Sequence, residues 1–69
     1  MIDIELLRKF IARSGKSLTR IAKELGITYI SLNNKLKGKF DFTLKEALAL
    51  RSILDLTRQE WDAVFDDPR

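Results

Sequence analysis

The chain has 69 residues, a formal net charge of +3, and neither cysteine nor histidine. This length fits one domain with a small core, because a chain of this size buries only ~60% of the surface that its unfolded form exposes. Without those two residue types, disulfides, thiol or imidazole catalysis and soft metal ligands are excluded. The sequence therefore predicts a single domain over residues 1–69 that is not an enzyme and that holds no cofactor or metal.

We expect no segment of the chain to direct it into or across a membrane. Its first residues lack the basic stretch and the apolar stretch of a secretory signal. The longest stretch without a charged residue, 25–34, is much shorter than the ~20 apolar residues that cross a bilayer. We therefore expect a cytoplasmic protein with no membrane partner.

Charge is divided unevenly along the chain. Residues 1–42 contain nine basic and four acidic residues, a net charge of +5, whereas residues 43–69 contain four basic and six acidic residues, a net charge of −2. A basic first part indicates an anionic partner for that part. A solvated surface of uneven charge is the alternative interpretation.

Five amphipathic helices are predicted in chain order, and no segment alternates apolar and polar residues for long enough to form a strand. A residue whose side-chain oxygen can cap the first turn precedes each helix, and the last two helices also have the glutamate of a capping box. The predicted N-caps are Asp3, Ser17, Thr28, Thr43 and Thr57, and the first three helices end at Gly15, Gly26 and Gly38. The predicted fold class is all-α with five short helices.

Each helix carries apolar residues at helical spacing, which is typical of a buried face. In chain order these residues are Leu7, Phe10 and Ile11; Ile21, Ala22 and Leu25; Leu32 and Leu36; Leu44, Ala47, Leu48, Ile53 and Leu54; and Trp61, Val64 and Phe65. For so short a chain the core is the first interpretation of the last three residues, which could instead form a dimer or partner face.

The second and third helices have the spacing of a helix-turn-helix. Ala22 is small enough for two helices to approach closely, Gly26 permits a tight turn four residues later, and Leu32 anchors the next helix six residues further on. The pattern also occurs by chance in helical proteins.

The stretch "SLTRIAKELGITYISLNNKLKGK", residues 17–39, resembles the helix-turn-helix of the phage repressor/Cro family, also called the Xre family. The resemblance extends from Asp3 to Phe65, and "GKFDFTLKEALAL" also resembles the small phage-type members. It implies a lambda-repressor-like domain of five helices, with a helix-turn-helix core at about 17–37. It further implies a homodimer on double-stranded DNA that represses transcription in a bacterium or a phage-infected host.

The third helix, about 28–37, is expected to read bases. Because Leu32 and Leu36 point inward, steps of 100° place polar and aliphatic residues on the opposite side, and such a helix enters the major groove with its N-terminal end. The predicted base-reading residues are Tyr29, Ile30, Ser31, Asn33 and Asn34. Tyr29 could instead be a half-buried core residue, and the others could be solvated.

Phosphate contacts are expected beside this helix. The main-chain N–H groups that open the second helix form an anion site, and lysines lie near both ends of the motif. The predicted phosphate-binding residues are Lys16, Ser17, Leu18, Lys35, Lys37 and Lys39. Any single lysine here could equally be solvated.

Three positions depart from the family pattern. Leu18 stands where the family often has glutamine, Lys35 stands where many members bury an aliphatic residue, and Asp41 adds a negative charge to a loop that is often basic. Leu36 is expected to fill the space left at Lys35. These departures leave an alternative open, a protein-binding module that modulates another regulator through Trp61 and its neighbours.

Small-molecule and metal ligands are not expected. Asp62 and Asp66 lie four residues apart near the end of the chain, a spacing that could hold a hard cation loosely. A solvated acidic tail is the preferred interpretation, and no glycine-rich phosphate loop is present.

Overall fold

The computed structural model describes residues 2–65, which form five α-helices and, within that range, no strand. The helices are α1 (Ile4–Ser14), α2 (Leu18–Leu25), α3 (Tyr29–Leu36), α4 (Leu44–Ile53) and α5 (Arg58–Phe65). The predicted all-α class and the count of five helices are confirmed for this part of the chain. None of these helices has both the length and the apolar character needed to cross a membrane.

All five predicted N-caps are confirmed. In each case the side-chain oxygen accepts a hydrogen bond from the backbone N–H three residues later, at 3.0 or 3.1 Å. Glu46 and Glu60 also accept from the N–H of Thr43 and Thr57, each at 2.9 Å, so that both capping boxes are complete. The helix starts are therefore fixed by local hydrogen bonds.

The turn between α2 and α3 has a backbone that only glycine adopts without strain. Gly26 has φ of 78°, and the following N–H of Ile27 donates to the carbonyl of Ala22 at 3.0 Å. The same arrangement ends α4, where Asp55 has φ of 53° and is the only described non-glycine residue with positive φ. A left-handed aspartate is tolerated but strained relative to glycine.

One apolar core joins the helices. α2 packs against α3 and α4, and α5 packs against α1 and α4. The core residues are buried from solvent and come from all five helices and from the turn after α4: Leu7, Ile11, Ile21, Ala22, Leu32, Leu36, Ala47, Leu50, Leu54, Leu56 and Val64.

The predicted apolar set on α4 is divided between core and surface. Ala47 and Leu54 are buried together with Leu50, whereas Leu44 is 71% exposed and Leu48 is 53% exposed. Burial of Leu44 and Leu48 is therefore a wrong prediction. The reason is that α4 is apolar on more than one side, so that its spacing does not determine which side faces the core.

A bidentate ion pair joins the end of α1 to the start of α5. Arg13 donates to the two carboxylate oxygens of Glu60 at 2.6 and 3.2 Å. The hydrogen bond from Arg13, followed by that from the N–H of Thr57, lowers the pKa of Glu60 to about 2. The same carboxylate thus closes a capping box and links two helices.

Candidate nucleic-acid interface

The side of α3 that faces solvent is set by the two leucines on its inner side. Leu32 is 1% exposed and Leu36 is 2% exposed, as the spacing predicts. Ala22 on the adjacent α2 is also buried, and Gly26–Thr28 connect the two helices in three residues. The predicted tight packing at Ala22 and the predicted turn are both present.

The outer side of α3 presents apolar and amide groups together. Ile30 is 71% exposed and Tyr29 is 47% exposed at the first position of the helix. Ser31, Asn33 and Asn34 are partly exposed, and within residues 2–65 neither asparagine amide forms a side-chain hydrogen bond. The five predicted base-reading residues therefore all reach solvent, and two amides have unused donors and acceptors.

Two predicted phosphate-binding lysines stand at the C-terminal end of α3. Lys37 and Lys39 are exposed, and within the described part of the chain neither forms an ion pair. The N–H of Lys39 donates to the carbonyl of Asn34 at 3.0 Å, which holds this end of the helix in a defined turn. Both ammonium groups are thus available to an anion beside the outer side of α3.

Lys35 does not fit its predicted role. Its Nζ lies 2.5 Å from Glu46 Oε1, and the two side chains are only 11% and 12% exposed. Burial alone would raise the pKa of Glu46, but the hydrogen bonds from Lys35 and from the N–H of Thr43 outweigh it and lower that pKa. Lys35 therefore ties α3 to α4, and its ammonium group is engaged by Glu46 rather than exposed to a phosphate. The Lys35 side chain is nevertheless largely covered, and Leu36 beside it is 2% exposed.

Lys16 is also held within the domain. Its Nζ donates to the carbonyl of Ile53 at 2.9 Å and to Glu24 Oε1 at 3.2 Å. The cation thereby satisfies the C-terminal end of α4 and links it to α2. We leave Lys16, like Lys35, out of the proposed interface.

The start of α2 keeps the features of an anion site. Ser17 is exposed and accepts from the N–H of Arg20, while its hydroxyl hydrogen stays available. Within residues 2–65 the N–H groups of Leu18 and Thr19 have no acceptor. The leucine side chain packs against the core, so Leu18 can contribute only its main chain.

Arg8 was not predicted from the sequence as a site residue. Its Nη2 donates to the carbonyl of Leu36 at 3.3 Å, which places a third cation at the C-terminal end of α3. The two residues are 28 positions apart, and no local pattern signals such a contact.

The predicted partner face on α5 is only partly at the surface. Val64 is fully buried, so its inclusion in a surface is wrong, and the core interpretation holds for this residue. Trp61 is half-buried and donates through Nε1 to the carbonyl of Ala47 at 2.8 Å. Phe65 packs edge-on against Phe42, with ring centres 6.1 Å apart. These rings line an open cavity of about 390 Å³ between α4 and α5.

The predicted acidic pair near the end of the chain lies only partly within the described residues. Asp66 lies outside the described residues, and Asp62 lies 3.8 Å from Arg58 Nε on the same helix. Within residues 2–65 no group of three potential metal ligands comes together.

Comparison with known proteins gives no match, since no family model, curated protein or solved structure is significantly similar to the chain.

Proposed function

We propose that this chain is a sequence-specific DNA-binding transcription regulator of the small phage repressor type. It reads the major groove of double-stranded DNA with α3 and acts as a homodimer in the cytoplasm of a bacterium or a phage-infected host. The observation that carries the proposal is the outer side of α3. Within residues 2–65, two amides there have no hydrogen-bond partner, one aliphatic residue is exposed, and the cations of Lys37 and Lys39 have no acidic partner.

Base reading is supported by the chemistry of these side chains. An asparagine amide can donate to and accept from one adenine at the same time, and an aliphatic side chain can pack against the methyl group of thymine. Asn33, Asn34 and Ile30 supply these two kinds of group within two turns of helix. Tyr29 and Ser31 add hydroxyls near the end of α3 that would enter the groove first.

Phosphate binding is supported on both sides of the reading helix. The open N–H groups of Leu18 and Thr19 suit a phosphate at the start of α2, where the helix dipole also favours an anion. Lys37 and Lys39 suit a second phosphate beyond the end of α3, with Arg8 behind them. Such contacts set the register of the helix on the duplex but do not distinguish sequences.

The test of base reading is a selection from a randomised duplex library at near-physiological salt. Enrichment of two inverted half-sites about one helical turn apart is expected of a dimer. On the selected site Asn34→Ala should weaken binding by ~1–3 kcal/mol for each lost bidentate pair, and on random DNA it should have no effect. Equal losses on both DNAs would contradict the role of Asn34. No enrichment would contradict the proposed function.

The test of phosphate binding is the salt dependence of affinity. Lys37→Ala and Lys39→Ala should each weaken binding to all sequences alike and reduce the slope of log affinity against log salt by about 0.9. Arg58→Ala is the matched control, because it removes one positive charge from α5, which packs against α1 and α4. An equal change of slope in the control would show that only net charge matters.

A second candidate function is supported by one observation. Phe40, Leu44 and Leu48 are exposed apolar residues that take no part in the proposed DNA contacts, as a protein-binding module would have. Binding of a protein partner through apolar contacts would change little with salt, whereas DNA binding would weaken steeply.

A further inference from the structure

A second apolar surface lies along α4 and the loop before it. Leu44 is 71% exposed, Leu48 is 53% exposed, and Phe40 is 61% exposed. Within residues 2–65 the other large apolar side chains with such exposure are Tyr29 and Ile30 on α3. We call Phe40, Leu44 and Leu48 the α4 surface; nothing in the proposed contacts with DNA makes use of it.

The two leucines form a stripe that suits another helix. They are four residues apart, so they lie one above the other on the same side of α4. Leu44 also forms part of the wall of the cavity between α4 and α5. A helix laid along this stripe would therefore contact Leu44 and Leu48 together.

Charges at the two ends of the stripe favour a second copy of the chain as that helix. Arg51 lies three residues beyond Leu48 and Asp41 lies three residues before Leu44. Both residues are exposed, and within residues 2–65 neither has a partner of opposite charge. If two α4 helices pack antiparallel about a two-fold axis, Leu44 meets the partner's Leu48. Arg51, near the end of one helix, then lies towards the segment that precedes the partner's α4, and that segment carries Asp41.

We propose that two copies of the chain associate through the α4 surface in this antiparallel register. Self-complementarity is what a two-fold interface requires, because each contact is then made twice. This interface rests on the proposed function in one respect: it would form the homodimer that the proposed DNA binding uses. The association itself needs no DNA.

Sedimentation equilibrium of the full chain without DNA tests the association. The wild type is expected to dimerise reversibly, and Leu48→Glu should weaken the dimer by at least about 100-fold, because an apolar contact is lost twice. Ile30→Glu is the matched control, because Ile30 is an aliphatic residue on α3 that is 71% exposed, and without DNA this variant should leave the dimer unchanged. Circular dichroism checks that both variants fold. We expect both to fold, because the substituted side chains are exposed.

A charge exchange tests the register. Asp41→Arg or Arg51→Asp alone should weaken the dimer by about 2- to 5-fold or more, as for an exposed ion pair. The double variant Asp41→Arg/Arg51→Asp should restore the wild-type dissociation constant of the dimer. A change that depended only on net charge would not weaken the dimer in both single variants, since they shift that charge in opposite directions. Absence of restoration would overturn the antiparallel register.

Two other results would overturn the α4 surface itself. One is a wild type that stays monomeric at every concentration. This result also covers a surface that binds a different protein, because such a chain would not associate with itself. The other is a dimer that persists in Leu48→Glu. The DNA selection is read separately, so a dimer without enrichment of a site would refute the proposed function and leave this assignment standing.

Discussion

The ion pair between Lys35 and Glu46 should contribute far more to stability than the other ion pairs of the domain. The perturbation is a double-mutant cycle with Lys35→Met and Glu46→Gln. The glutamine keeps an oxygen that can accept from the N–H of Thr43, so the capping box is largely retained while the charge is removed. The cycle therefore isolates the interaction between the two charges.

The expected magnitude follows from the distance and the burial. At 2.5 Å, with an effective dielectric constant of ~20, the gross attraction is ~6–7 kcal/mol. Desolvation of two side chains that are 11% and 12% exposed cancels much of it, and we expect a coupling of ~2 kcal/mol to remain. Each single variant should lose ~3 kcal/mol, because it leaves one charge nearly buried without its partner. For a domain of this size the loss corresponds to a fall in Tm of more than ~10 °C.

The assay is urea unfolding of the four proteins, followed by circular dichroism at one temperature. Since a small domain has only ~3–5 kcal/mol of stability in total, a constant concentration of sucrose keeps the single variants folded in the absence of urea. The matched control is the same cycle on Arg58 and Asp62, 3.8 Å apart and 82% and 44% exposed, with an expected coupling of at most ~0.5 kcal/mol. Equal couplings in the two cycles would refute the reasoning from burial.

Two further predictions concern stability alone. The pKa of Glu60 is lowered to about 2 in the folded protein, so its contribution is complete above the unfolded pKa of ~4.3 and is lost as the pH falls towards 2. Thermal unfolding between pH 6 and 2 should show this loss in the wild type and a flatter profile in Arg13→Met, and identical profiles would contradict the role of the pair. Asp55→Gly should stabilise the domain by ~0.5–1 kcal/mol by relieving a left-handed backbone, whereas Asp55→Ala should not. Urea unfolding measures both, and a loss of stability in the glycine variant would show that the aspartate side chain matters more than the backbone.

The helix boundaries could be predicted because their causes are local. A capping oxygen and the N–H that it receives lie three residues apart, and a glycine with positive φ acts on its own turn. All five N-caps and the glycine turns are therefore visible in the sequence. The end of α4 has no such glycine signal, because Asp55 takes the left-handed position there.

The rotation of α4 could not be predicted because several of its sides are apolar. Leu44, Ala47 and Leu48 fit one helical stripe, and Ala47, Leu50 and Leu54 fit another. Only contacts with α2 and α5 decide between them, and those contacts involve residues distant in sequence. For this reason the exposure of Leu44 and Leu48 is known only from the structure.

The division of the lysines could not be predicted for the same reason. In sequence Lys16, Lys35, Lys37 and Lys39 form one basic group around the motif. In the structure the first two are held by glutamates at 3.2 and 2.5 Å, whereas the last two are exposed. A glutamate eight or eleven residues away gives no local signal of such a pair.

Lys35 in α3 and Lys37 at its C-cap connect the stability of the domain with its proposed function. Lys35 and Lys37 are two residues apart, so steps of 100° direct them to nearly opposite sides of the helix. The inner lysine, bound to Glu46, adds a polar link from α3 to α4, and together with the burial of Leu32 and Leu36 it determines which residues face outward. Asn34 is held towards solvent by the same contacts that bury Lys35 and Leu32. In the proposed interface, base reading requires a helix whose side chains are already oriented before DNA arrives, since ordering them on binding would reduce affinity. The nearly buried pair of Lys35 and Glu46 contributes to that orientation from the inner side of α3.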